Sequence, residues 1–332
     1  MKKLSNTGTK TAANTTNGSV DITLDDYLHA ATRENTRKSY RSAVEHFETA
    51  WGGMLPTTSE EIARYLVAFA DKHSAATLRQ RLAGLAAWHQ QQGFADPTKT
   101  PYVKKVLKGI AELHPAIQKQ AKPIELQQLQ LIVNSLEQPE SEAASSLTAL
   151  RNRSLLLMGF WRAFRSDELS RVRVEHIQVE HGRGMTINIP RNKGDRGIAG
   201  QQGRQYFVPA LRQLCPVAAY QDWQQASGVT SGPVFRKIDR WGNIGSQELH
   251  PSSITHILRQ CCRVADINNA EAFSSHSLRR GFANWANRQG WDIKSLMEYV
   301  GWRDVKSALR YVDSTTPFAP EMLLEQSQAE LD

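Results

Sequence analysis

No stretch of this 332-residue chain approaches the 18 or so consecutive apolar residues that a membrane-spanning helix needs, and membrane association is not expected. Lys2, Lys3 and Lys10 near the start are not followed by an apolar core, so no secretory signal is expected either. The three cysteines, Cys215, Cys261 and Cys262, are too few for a disulfide framework, and none has the CxxC spacing of a metal site. They read as buried thiols of a reducing compartment, which places the protein in the cytoplasm. Also missing are a Walker phosphate loop and an acidic cluster suited to Mg²⁺, so neither a metal nor another cofactor is expected.

What the chain does have is positive charge. Lysine and arginine number 41 against 33 acidic residues, a formal net charge of +8, and this excess points to a polyanionic partner, nucleic acid first. The length suits two domains, each able to bury its own core. Residues 1–20, rich in Thr, Asn and Gly, predict a disordered tail. Residues 21–114 predict a helical bundle without strands. Thr58-Ser59-Glu60-Glu61 is a capping box ahead of Ile62, Tyr65, Leu66 and Phe69. Ser74 opens a helix carrying Leu78, Leu82, Leu85 and Trp88, and Pro101 opens another with Val103, Val106, Leu107 and Ile110 inward.

Two polar faces in this half are candidate nucleic-acid surfaces. Arg33, Arg37 and Arg41 recur at i, i+4 and i+8, opposite an apolar face of Tyr40, Val44, Phe47 and Trp51. Arg79 and Arg81, with the run His89-Gln90-Gln91-Gln92, give a second helix of the kind that reads base edges. Solvated basic faces are common, so neither pattern is specific alone.

Residues 115–123, polar, basic and framed by Pro115 and Pro123, predict an interdomain linker, which leaves 124–332 as the second domain. Two apolar helices come first, around Leu129 and Leu156. Ile177–Glu180 and Met185–Ile189 alternate about His181-Gly182-Arg183-Gly184, a hairpin pattern, and a third strand includes Gln205–Val208. A basic loop, Arg191 to Gly197, lies between the second and third strands. Helices return at Val217–Ala226, Ser252–Val264, Ser277–Arg288, Ile293–Val300 and Lys306–Tyr311, followed by an amphipathic segment from Pro320 to Leu331. The fold class is therefore mainly α with a small antiparallel sheet.

His276-Ser277-Leu278-Arg279 places two polar side chains three residues apart at a helix start, on one face. By itself such a motif is an ordinary helix cap. With it, in chain order, stand Arg165-Ser166-Asp167-Glu168-Leu169 after an apolar helix, Lys193 in the glycine-broken loop, Gly301-Trp302 and Tyr311. This ordered set resembles the tyrosine recombinase (phage integrase) family, most of all its Cre-type members, since Trp302 stands where most members have a second histidine. Thr36-Arg37-Lys38-Ser39-Tyr40 and Asp96-Pro97-Thr98 extend the likeness into the first half, as a helical core-binding domain ahead of a mixed α/β catalytic domain.

The resemblance implies that Tyr311 is the nucleophile, that Arg165 and Arg279 clamp the scissile phosphate, and that Lys193 is the general acid. It implies that His276 assists proton transfer at Tyr311, that Trp302 donates its indole N–H to the phosphate, and that Glu168 braces the site from behind. The residue types suit the chemistry: planar arginine forks match non-bridging phosphate oxygens, and a covalent phosphotyrosine conserves the bond energy without ATP. Implied partners are double-stranded DNA sites and a homotetramer in which the segment around Met322–Leu324 docks into a neighbouring protomer. Alternatives are a type IB topoisomerase-like relaxing enzyme, a silent DNA-binding regulator, and Xer-like dimer resolution within the same family.

Overall fold

The computed structural model of the protein describes residues 23, 32, 34–115, 120–137, 143–190 and 203–311. The chain divides into two compact units between residues 117 and 118. Arg33, Lys193 with its basic loop, the tail over 1–20 and the segment from Pro320 to Leu331 lie outside the described residues.

In the first unit each helix after the first begins where a hydroxyl caps it. The helices are α1 (Glu34–Glu45), which runs into a single π turn over His46–Ala50, α2 (Ser59–Ala68), α3 (Ala75–Gln91) and α4 (Pro101–Leu113). The hydroxyls of Thr58, Ser74 and Thr100 accept hydrogen bonds from the amides of Glu61, Thr77 and Val103. These bonds satisfy donors that a helix start otherwise leaves free. The core holds Phe47, Ile62, Tyr65, Leu66, Leu78, Leu85 and Val103, the stripes that the helical spacing predicted. α1 lies close against α3 because residue 84 is glycine: a Cβ there would come within 2.6 Å of Ala43.

Two residues of the polar face on α3 make contacts within this unit. His89 is wholly buried, because it falls four residues after Leu85 on the inner stripe of α3. Its Nε2 accepts from the amide of Thr57 (3.1 Å), so Nδ1 carries the proton and donates to the Leu85 carbonyl (2.8 Å). Both nitrogens are satisfied, which makes a buried neutral imidazole tolerable. Arg81 is half-buried and donates to the Ser42 carbonyl of α1 at 3.3 Å, so it also takes part in the α1–α3 contact.

The second unit comprises α5 (Leu126–Glu137), α6 (Ala143–Trp161), α7 (Ser166–Ser170), β1 (Ile177–Glu180), β2 (Gly184–Ile189), β3 (Arg204–Pro209), α8 (Pro216–Ser227), β4 (Arg236–Ile238), β5 (Ile244–Glu248), α9 (Ser253–Val264), α10 (Ser275–Arg288), α11 (Ile293–Val300) and α12 (Val305–Leu309). Leu155, Leu156, Leu157, Met158 and Phe160 of α6 are all fully buried. An apolar surface on every side marks a helix packed all round, and α6 forms the centre of the unit. β1, β2 and β3 form one antiparallel sheet in that order, and the expected hairpin pairs Glu180 with Gly184.

Several expectations need correction. The β4–β5 hairpin was not anticipated, because Ile244-Gly245-Ser246-Gln247-Glu248 alternates too weakly to mark a strand. α7, only five residues long, was equally invisible. Tyr311 lies two residues past the end of α12 instead of inside it: Asp304 caps the start of the helix, and at its far end the Tyr311 amide bonds the Ala308 carbonyl at 2.9 Å, a tighter turn than the α-helical one. Cys215 is half-buried at the start of α8, where its sulfur accepts from the Ala218 amide, while Cys261 and Cys262 are buried. Among the described residues, no helix is long and apolar enough to cross a membrane.

Residues 120–124 run along the start of α10. The amides of Lys122 and Ile124 donate to the carbonyls of Ala272 and Ser277 at 3.0 and 3.1 Å. The approach is close enough that a Cβ on Gly281 would lie 2.0 Å from the Ile124 carbonyl oxygen. Gly281→Ala should therefore force this segment off α10 and lower the unfolding free energy by about 1–3 kcal/mol, read from urea denaturation. An unchanged midpoint would contradict the packing.

Candidate active site

The site is built outward from the first turn of α10. Ser274 caps it by accepting from the His276 amide (3.2 Å), while the hydroxyl of Ser277 accepts from the Ser274 amide (2.9 Å). The reciprocal cap fixes this turn and so fixes His276 and Arg279, which share a face one turn apart. Arg279 is 1 % exposed, the most deeply buried cation among the described residues. One of its terminal nitrogens donates to the carbonyl of Ala163, which sits in the left-handed region at φ 51° just beyond α6. A non-glycine residue there costs about 1–2 kcal/mol, a strain that persists only where surrounding contacts impose it. The other two guanidinium nitrogens of Arg279 are buried without a hydrogen-bond partner.

Gly301 ends α11 at φ 77°, and the Trp302 amide turns back to the Met297 carbonyl at 2.9 Å. The Trp302 ring then lies stacked on Tyr311, centroids 5.4 Å apart and planes at 30°, with the Arg279 guanidinium 5.0 Å from one ring and 5.4 Å from the other. The indole Nε1 is also buried without a partner. Tyr311 places its hydroxyl 3.0 Å from Nδ1 of His276. Although much of His276 faces solvent, partial burial of its ring, then the charges of Arg279 and Arg165, lower its pKa from the usual 6.5. The neutral imidazole that results at pH 7 can accept a proton from the phenol.

Arg165 opens α7 with its side chain about half exposed, and Glu168 holds it twice: one carboxylate oxygen takes the Arg165 amide (2.8 Å), the other its guanidinium (3.0 Å). Tyr206 on β3 donates to the same carboxylate at 3.4 Å. Burial, then the charge of Arg165, lowers the pKa of Arg279, yet an arginine so shifted is still a cation at neutral pH. Of the seven residues picked out in the second half of the chain, six are therefore in one neighbourhood: Arg165, Glu168, His276, Arg279, Trp302 and Tyr311. Lys193 is outside the described residues.

In the first unit Arg41 and Arg79 are exposed, and Arg37 is turned back onto the Thr32 carbonyl and Glu34. Beside Tyr311 and His276 opens a cleft of about 850 Å³ whose walls include Lys122, Arg259, Arg280 and Arg310. These four cations were not singled out in the sequence, where isolated basic residues carry no pattern. Also missed was Arg162, a charge at the end of the apolar run of α6 that could have drawn notice. Among the described residues no three His, Cys, Asp or Glu side chains gather as metal ligands.

The arrangement can do specific work. Three buried donor nitrogens without partners, two on Arg279 and one on Trp302, belong to side chains that pack against Tyr311, whose hydroxyl meets a neutral imidazole. Buried donors without partners cost about 1–3 kcal/mol each, and the set suits an anion with several acceptor oxygens.

Comparison with known proteins agrees with that chemistry. Residues 122–317 match the model of the phage integrase family. An integrase/recombinase XerD homolog of Selenomonas ruminantium is 26 % identical over 303 residues, covering 89 % of this chain and 86 % of that protein. The recombinase Cre of Escherichia phage P1 is 25 % identical over 272 residues, 77 % of this chain and 76 % of its own. Among solved structures, XerH site-specific recombinase bound to palindromic difH substrate, in a post-cleavage complex, shares the fold with a TM-score of 0.59 at 18 % identity. That match covers 90 % of this chain and 80 % of the other. With the matched region spanning more than half the chain and containing all six of the gathered residues, the protein belongs to the phage integrase family.

Proposed function

We infer that the protein is a site-specific DNA recombinase, cutting and rejoining duplex DNA through a covalent bond between Tyr311 and a 3′ phosphate. The observation that carries this reading is the Tyr311 hydroxyl, 3.0 Å from a neutral His276 and beside the unpartnered donors of Arg279 and Trp302. In the cleavage step the Tyr311 oxygen attacks phosphorus as His276 takes its proton, and the bond from phosphorus to the 5′ oxygen breaks. Lys193 is assigned as the acid that protonates the departing 5′ oxygen, a contribution worth about 10² to 10⁴ in rate. Arg165 and Arg279 hold the non-bridging oxygens, with Trp302 as a third donor and Glu168 fixing Arg165. Attack by a 5′ hydroxyl from a second duplex reverses the step and exchanges strands.

The same reading assigns duplex contacts to Arg33, Arg37, Arg41, Arg79 and Arg81 in the helical unit, and to the cations of the cleft. It also includes a tetramer on paired sites, with the segment from Pro320 to Leu331 docked in a neighbouring protomer, and a cytoplasmic location. The opposition of basic cleft and polyanion supports steep weakening of DNA binding by salt.

Incubation with a pool of nicked duplexes of randomised sequence, in EDTA, should yield a protein–DNA adduct that survives SDS. Tyr311→Phe should abolish it. Wild type without adduct, or adduct from the phenylalanine variant, would sink the proposal. Arg279→Lys keeps charge but loses the fork, and adduct formation should slow by about 10²-fold or more in single-turnover assays. Because the pKa of His276 is lowered, its neutral form persists below pH 6.5, so the acid limb of the cleavage rate should have its midpoint below that value. A midpoint at or above 6.5 in the pH profile of adduct formation would count against His276 as the base.

A further inference from the structure

Arg162 is 6 % exposed, and among the described residues no carboxylate makes an ion pair with it; its guanidinium lies against two aromatic rings and a carbonyl. The guanidinium carbon lies 4.7 Å from the ring centre of Tyr206 and 4.3 Å from that of Tyr299, and one terminal nitrogen donates to the Tyr299 carbonyl. A planar cation between two rings gains the attraction of both, and lysine cannot reproduce this face-on contact. Each ring is tied onward. The hydroxyl of Tyr206 donates to Glu168, the residue that grips Arg165 by side chain and backbone. Tyr299 occupies the last turn of α11, two residues before the left-handed Gly301 that delivers Trp302, and its hydroxyl is fastened to the Trp161 carbonyl at 2.7 Å. Arg204, 5.4 Å from the Tyr206 ring, donates to the Gly301 carbonyl at 3.2 Å and closes the same circuit from β3.

We propose that Arg162 is a positioning residue for strand cleavage: held between Tyr206 and Tyr299, it fixes the distance between the Glu168–Arg165 pair and Trp302. Its contacts are with neither Tyr311 nor Arg279; it acts by joining the chain just after α6 to β3 and to the last turn of α11, with Arg165 following the first at the start of α7 and Trp302 following the last. This inference rests on the cleavage reading above. A displacement of about 1 Å between such groups is enough to slow a reaction by roughly 10²-fold.

The test compares Arg162→Met and Arg162→Lys with wild type, using full-length protein and the duplex recovered as adduct from the randomised pool. At saturating duplex, the rate constant of adduct formation should fall about 10- to 100-fold in both variants, while the duplex concentration giving half-saturation changes less than about threefold. A loss confined to half-saturation would make Arg162 a DNA-affinity residue and overturn the proposal. So would a rate that returns to the wild-type value at a temperature where the variant is fully folded by circular dichroism. Should Arg162→Met fail to fold, Arg162→Lys decides: a lysine variant that cleaves at the wild-type rate overturns it. Wild-type protein that captures no duplex removes the cleavage reading and this inference together, whereas wild-type adduct with unaffected variants removes this inference alone.

Discussion

The hydrogen bond from Arg279 to the Ala163 carbonyl joins the two halves of the site, and much of the catalytic unit is arranged so that it can form. A guanidinium taken almost wholly out of water is costly, and one carbonyl does not satisfy it. The remaining stabilisation comes from faces rather than charges, because the rings of Trp302 and Tyr311 both lie within cation–π range. The left-handed Ala163 exposes its carbonyl to α10, the Ser274 cap sets the turn that carries Arg279, and Gly301 swings Trp302 under the guanidinium. Each device is local, and each would be wasted without the others.

Charge around this cation is graded. Arg165, half in solvent, has a carboxylate partner, whereas Arg279, buried, has none. Burial first, and then the charge of Arg165, lowers the pKa of Arg279; burial and then the charges of both arginines lower that of His276, which is neutral at pH 7. The carboxylate of Glu168 is thus spent on the exposed arginine, and the buried one keeps its positive charge and two donor nitrogens uncommitted.

How far these features could be read from the sequence depends on how locally each is encoded. Caps, hairpin and apolar stripes are written in short windows, and Thr58, Ser74, Gly182 and the run around Leu156 marked their elements well. His276, Arg279, Trp302 and Tyr311 were legible because their order and spacing are shared by a family, not because any one residue is unusual. His89 was misread because a histidine in a glutamine run looks polar until both its nitrogens are seen to be satisfied inside. The contact of Arg81 with the Ser42 carbonyl was not legible, because helical spacing gives a face but not what the neighbouring helix offers it. The cleft cations and the Tyr206–Arg162–Tyr299 stack come from segments distant in sequence, and no local pattern announces a contact of that range.

Residues 120–124 lie along the start of α10. Two of their backbone hydrogen bonds, to the carbonyls of Ala272 and Ser277, fall on either side of His276, while Ile124 is wholly buried in the core that α6 shares. The chain entering the second unit is thus tied at once to that core and to the helical turn that carries the imidazole, so a change in the path of residues 120–124 would reach His276 from both sides.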